Sequence, residues 1–256
     1  MTQSTLLGSK YTEQEVIQVP AVPFTSTFSP VHHRDVITAV KSAIQTVGMN
    51  ITNAEYALAR NGNQLFCVFD LANGNNAMGW ALGVRNSMDK SLALGLTCGT
   101  RVFICSNLAF DGEFVEFRRH TSRLDYEELE YLAYRSVRKM MTRLAAFQAW
   151  HKGLRHYPLS ERDAKVLIVE TMTNMVIPAS KFNQFADLYF GGTYGYDLYG
   201  FHETVTDLLR GNNLLTLPKK NQQLNQVISR YIDICAADAP SPLGDFYQHR
   251  NLLCRL

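Results

Sequence analysis

The sequence has no close cysteine pairs, no strong charge imbalance, no apolar run of bilayer length and none of the common catalytic signatures. Each absence excludes something. A membrane-spanning helix needs roughly 18 or more consecutive apolar residues, and no stretch approaches that. The N-terminus, Met1-Thr2-Gln3-Ser4-Thr5-Leu6-Leu7-Gly8, has neither a basic region nor a long apolar one, so no signal peptide is expected. Five cysteines (Cys67, Cys98, Cys105, Cys235, Cys254) form an odd set without close spacing, which suits reduced thiols in a cytoplasm. A net charge of +2 favours no particular partner. HExxH, CxxC and GxSxG are missing, and Gly191-Gly192-Thr193-Tyr194-Gly195 lacks the lysine of a phosphate loop. No metal, cofactor or catalytic residue is therefore assigned.

What the sequence does contain is a foldable composition and a change of texture. Apolar residues make up 46% and charged residues 19% of 256 residues, as in one large globular domain or two small ones. Residues 1–30 carry Pro20, Pro23 and Pro30 without periodicity and read as an extended arm that packs on its own sheet or joins a neighbouring subunit. Val36, Val40, Ile44 and Val47 predict a helix over 33–47, with Gly48 at its C′ position. From 49 to 121 the pattern turns to β. Strands are expected over 65–69, 77–84, 92–106 and 114–118, with a reversal at 73–76, a polar turn at 85–90, and Gly95 and Gly99 as bulge or turn residues. Short connections imply an antiparallel meander. A long helix follows over 125–152, with further helices near 160–173, 178–190, 197–210 and 221–236. The expected fold class is α+β: an extended arm (1–30), a core with meander sheet and long helix (31–156), and a helical C-terminal region (157–256).

Charge is distributed unevenly. Residues 135–156 hold Arg135, Arg138, Lys139, Arg143, Lys152 and Arg155 and no carboxylate, and Arg118, Arg119 and Arg123 lie upstream. Arg135, Arg138, Lys139 and Arg143 follow helical spacing and can form one basic stripe for a phosphate backbone. The ordinary alternative is a solvated helix face whose acidic start (Asp125, Glu127, Glu128, Glu130) complements the helix dipole. Single-strand binding also needs aromatic stacking surfaces. The β region supplies Tyr56, Phe66, Phe69, Trp80, Phe103, Phe110, Phe114 and Phe117, most of which a sheet must bury. Arg85 and Lys90, in a polar cluster with Asn86, Ser87 and Asp89, could face Arg118, Arg119 and His120 across the sheet and hold an anionic ligand. The alternative is a turn held by side-chain to backbone hydrogen bonds beside an edge-strand charge pair.

The segments Gly83-Val84-Arg85-Asn86-Ser87-Met88-Asp89-Lys90-Ser91 and Gly99-Thr100-Arg101-Val102-Phe103-Ile104-Cys105-Ser106-Asn107-Leu108, with Gly112 and Arg118-Arg119-His120-Thr121, resemble a family of phage- and plasmid-borne proteins of unassigned function. That family carries an N-S-x-D-x-S segment, a strand ending in Cys and Asn, and a basic-His stretch. The later Leu198-Tyr199-Gly200-Phe201-His202-Glu203-Thr204 resembles the family's aromatic-Gly helix, with His202-Glu203 in place of Asn-Ala. The resemblance spans roughly 20–210 and is strongest over 80–121. It implies a mobile-element setting, a bacterial host cytoplasm, and DNA metabolism, recombination or counter-defence. Sheet followed by long helix is also similar, at fold level alone, to ring-forming annealing recombinases.

The expected function is a non-enzymatic protein that binds nucleic acid, single-stranded DNA above all, as a homo-oligomer away from membranes. Arg85, Lys90, Arg118, Arg119, His120, Arg135, Arg138, Lys139 and Arg143 are its candidate contacts. The alternatives are an interaction protein that inhibits or recruits a host factor, and a nucleotide-processing enzyme.

Overall fold

The computed structural model describes residues 10–26, 28–72, 78–102, 107–110, 115–118, 126–210 and 216–238. The chain divides into two units, residues 1–151 with 209–219 and residues 152–208 with 220–256. The fold is α+β, as expected.

In the first unit the strands are β1 (Lys10–Tyr11), β2 (Ile51–Ala59), β3 (Gln64–Leu71), β4 (Met78–Ser87), β5 (Leu94–Val102), β6 (Asn107–Phe110) and β7 (Val115–Arg118). Strands β1 to β6 are neighbours in chain order and antiparallel, so the meander holds up to β6. β7 departs from it by pairing with β5. The reason is length: four-residue β6 covers Gly99–Val102 of nine-residue β5, leaving Leu94–Leu96 for β7. A register shift at Leu94/Gly95 puts the expected irregularity at Gly95. The expected reversal at 73–76 lies outside the described residues.

Two helices cover one sheet face. α1 (Glu13–Ile17) precedes α2 (His33–Thr46), and α3 (Tyr126–Gly153) follows the sheet. Val36, Ile37, Val40 and Ile44 of α2 and Leu129, Val137, Met140 and Leu144 of α3 form one core with Leu65, Cys67, Phe69, Leu82, Val84 and Leu96 of the sheet. Every position of β3 is buried, so its near-continuous apolar run packs on both faces. On the second face the Phe110 ring crosses β5 to Gly83, where a Cβ would come within 2.8 Å of Thr97 and 3.2 Å of Phe110. Gly83 is thus a contact surface for that ring. Burial pushes the Cys67 thiol up from its ordinary pKa, as befits an inert core thiol.

The extended-arm reading of 1–30 is corrected over its described part. Lys10–Tyr11 pairs with the β2 edge, and Thr12 opens α1 with a capping box in which Glu15 Oε2 accepts from Thr12 N at 2.6 Å. Val16 is buried. Burial works to raise the Glu13 carboxyl, but hydrogen bonds from Lys41 (2.9 Å) and Tyr56 (2.7 Å), with the Lys41 charge, hold it below the usual range.

The polar turn at 85–90 is also shifted. β4 continues through Ser87 because Asn86 and Ser87 are buried with specific partners. Asn86 Nδ2 lies 2.9 Å from Val31 O and 2.9 Å from His33 Nδ1. A carbonyl only accepts, so the atom facing it is the amide nitrogen, and its second hydrogen goes to His33 Nδ1. His33 then carries its proton on Nε2 and donates to Gly62 O at 2.9 Å. Neighbouring His32 caps α2, accepting from Arg34 N at 3.0 Å through Nδ1 and donating to Val19 O at 2.7 Å through Nε2. The two adjacent histidines point apart and pin the start of α2 to separate segments.

The second unit is helical: α4 (Glu161–Thr173), α5 (Phe182–Phe190), α6 (Leu198–Leu208) and α7 (Leu217–Asp238, whose first three residues belong to the first unit). All match the expected helices, and 191–197 is the expected loop between α5 and α6. Ser160 caps α4 by accepting from Asp163 N at 3.1 Å. Among the described residues no helix is long and apolar enough to cross a membrane.

Replacing Asn86 by Ala strands two buried acceptors, Val31 O and His33 Nδ1, and each lost partner costs about 1–3 kcal/mol. Urea unfolding should show stability lower by about 2–4 kcal/mol. A loss under about 0.5 kcal/mol would remove the pin from this account.

Candidate functional site

Helix α3 is amphipathic because its core contacts repeat every three or four residues: Leu129, Ala133, Val137, Met140, Leu144 and Phe147 are buried. The opposite side follows from that rotation. At 100° per residue, Tyr131, Arg135, Arg138 and Lys139 fall within an arc of about 100°. All four are exposed, Tyr131 at 59%, and Arg143 is half-buried beyond the arc. The Arg135 guanidinium stands 5.6 Å from the centre of the Tyr131 ring. From Tyr131 to Gly153 the sequence contains no Asp or Glu, while Glu127 and Glu128 sit in the first turn. At 1.5 Å per residue the basic side chains are staggered over about 12 Å of helix. α3 thus presents positive charge beside an exposed aromatic ring.

The other expected cluster is only partly assembled. Arg85 on β4 and Glu116 on β7 both pair with Gly95, and Arg118 pairs with Leu94. The backbones of Arg85 and Arg118 therefore reach the same end of the sheet, on either side of β5. The Arg118 side chain, Arg119 and His120 lie outside the described residues. Arg85 Nε donates to Ala93 O at 3.2 Å, tying the 88–93 turn to its strand. Lys90, at φ +66°, holds its ammonium 5.2 Å from the Phe28 ring. Ser87 Oγ donates to Leu92 O and accepts from Leu92 N, both at 3.1 Å. Asp89 Oδ1 accepts from Ser91 N at 3.1 Å and from Ser91 Oγ. These are turn-holding bonds, the structural reading of the motif.

The sheet aromatics whose side chains are described are buried or half-buried, as expected of most of them, and none of these offers a stacking face. Tyr56, Phe66, Phe69 and Phe110 are buried, Trp80 is half-buried against the core, and nothing is described of the Phe103, Phe114 or Phe117 side chains. Among the described residues, the exposed ring within the basic stripe is Tyr131 on α3 itself.

Two features of the second unit were not selected from sequence. α6 is buried on almost every side, polar residues included. Asp197 accepts from Gly200 N at 2.7 Å at its start, Thr204 Oγ1 donates to Gly200 O at 2.8 Å, and His202 Nε2 lies 3.2 Å from Asn225 Oδ1. His202 Nδ1 and Glu203 Oε1, 3.7 Å apart, are adjacent buried groups of the metal-ligating type. The adjacent His202-Glu203 pair on one helix was the available signal in the sequence. The second feature is a half-open cavity of about 470 Å³ between α4, α5 and the 191–197 loop. Phe182, Tyr189, Phe190 and Tyr196 line it, with the Glu161–Lys165 ion pair (2.5 Å) also on its wall. The Tyr189 hydroxyl is buried without a hydrogen-bond partner among the described residues, and burial with the nearby Asp197 charge raises its pKa.

No family model matches the chain, and neither does a curated protein or a solved structure.

For Asp89, burial acts to raise the carboxyl, but hydrogen bonds from Ser91 and the Arg60 charge at 3.6 Å leave it below the usual range. A depressed carboxyl stabilises the fold above its unfolded pKa and loses that contribution as pH falls through its folded one. Asp89→Ala should lower stability by about 1–2 kcal/mol at pH 7, and the gap to wild type should narrow below about pH 4. A gap that is constant from pH 7 to pH 2, followed by chemical denaturation, would contradict this role for the carboxylate.

Proposed function

We propose that this chain is a non-enzymatic nucleic-acid-binding protein that engages single strands through the outward face of α3. The observation that carries the reading is the exposed stripe of Arg135, Arg138 and Lys139, with Arg143 at its margin and Tyr131 within it. Positive side chains staggered along a helix neutralise successive phosphates and release their counterions. An exposed ring within that stripe gives a base a face to stack on, which a purely solvated helix would not need. The Arg135–Tyr131 contact holds the ring beside the charge. Arg85 and Lys90 are peripheral in this reading, because Arg85 bonds the 88–93 turn and the Lys90 ammonium sits beside the Phe28 ring. The motif resemblance over 80–121 supports a phage or plasmid setting.

The test is the salt dependence of oligonucleotide binding. Titration of a labelled single-stranded DNA should give a log–log slope of about −0.7 for each phosphate neutralised, hence about −3 for four cations. The triple variant Arg135→Ala, Arg138→Ala, Lys139→Ala should flatten that slope by about 2. These positions are exposed, so its melting curve should stay close to wild type. Absence of binding at low salt, or an unchanged slope in the triple variant, would overturn the reading.

A further inference from the structure

We propose that the cavity of the second unit is a binding site for a single nucleobase, with guanine preferred. At about 470 Å³ it falls within the range of small-molecule sites and admits a purine ring with its sugar. Its aromatic walls include two rings that stand partly in water, Phe182 at 38% and Tyr196 at 59% exposure. Exposed rings around a concavity are a costly way to end a fold and a suitable way to stack a flat heterocycle.

The edge specificity comes from Glu161 and Lys165. One turn apart on α4, they set an acceptor and a donor side by side, with Glu161 Oε1 2.5 Å from Lys165 Nζ and that ammonium 5.7 Å from the Phe190 ring. Guanine matches that order: its O6 accepts from an ammonium while N1–H and N2–H donate together to a carboxylate. Adenine offers the carboxylate one such donor, from N6. Uracil flanks its single N3–H with two carbonyls, which a carboxylate repels. Cytosine places two acceptors beside its amino group. The ligand thus replaces the internal ion pair with one bond from the ammonium and two to the carboxylate, and leaves neither charge stranded. Tyr189 adds to the aromatic wall.

This proposal does not depend on α3: its residues all belong to the second unit. Nucleosides are the right probe, since they carry no phosphate to bind a basic surface. On the full chain, isothermal titration should show guanosine half-saturating below about 1 mM and adenosine, cytidine and uridine at least tenfold weaker. Glu161→Gln, at an exposed helix position, should weaken guanosine at least tenfold and erase the preference, with its melting curve unchanged. Phe182→Ala should weaken all four nucleosides together. Equal binding of the four, binding of none, or guanosine binding unaffected by Glu161→Gln would overturn the proposal. Guanosine binding that survives in the α3 triple variant separates the two sites. Oligonucleotide binding without guanosine binding would remove the base site and leave the α3 reading standing.

Discussion

The first unit depends on one side-chain amide. Asn86 sits at the end of β4 with no exposure, and its two hydrogens go to Val31 O and His33 Nδ1. That sets the tautomer of His33, which sets its bond to Gly62 in the β2–β3 turn. A buried network of this kind specifies position more than it adds stability, because a shift in any member strands another. Here it specifies where α2 begins on the sheet. α2 and α3 share a single apolar core on one sheet face, so the space left by α2 bounds the seat of α3. The rotation of α3 in that seat decides which residues face water. The outward direction of Arg135, Arg138 and Lys139 is a consequence of packing on the opposite side.

Much of this was legible because periodicity was strong. The α2 stripe Val36, Val40, Ile44 and the α3 stripe from Leu129 to Phe147 both fill a core, so their spacing is dictated by burial. The helices of the second unit were legible for the same reason, helped by Ser160 as a cap. α1 was missed although Thr12-x-x-Glu15 is a capping box, because a five-residue helix is too short to show a stripe. β2 was not singled out because its burial is partial, with Thr52, Asn53 and Glu55 breaking the alternation. β7 pairs with β5 for a reason of strand length, which is a tertiary property.

The candidate site was legible in part. Arg135, Arg138, Lys139 and Arg143 were placed on one stripe by spacing alone, and the rotation of α3 leaves only Arg143 at its margin. Spacing could not tell which rings were exposed. Tyr56, Phe66 and Phe69 have the same residue type as a stacking platform, yet the sheet carries packing on both faces and takes them into the core. Tyr131 was available in the sequence, but it became informative only through its contact with Arg135. The cavity in the second unit was not legible, because Glu161, Phe182 and Tyr196 come from three separate segments.

In the proposed function a bound strand lies along α3. Photocrosslinking tests it most directly: a single-stranded oligonucleotide carrying 5-iodouracil is bound at low salt, irradiated and digested, and the adducts are mapped by mass spectrometry. Adducts are expected on the peptide bearing Tyr131 and should be lost when Tyr131 is replaced by Leu. Adducts confined to peptides outside residues 126–153 would contradict it.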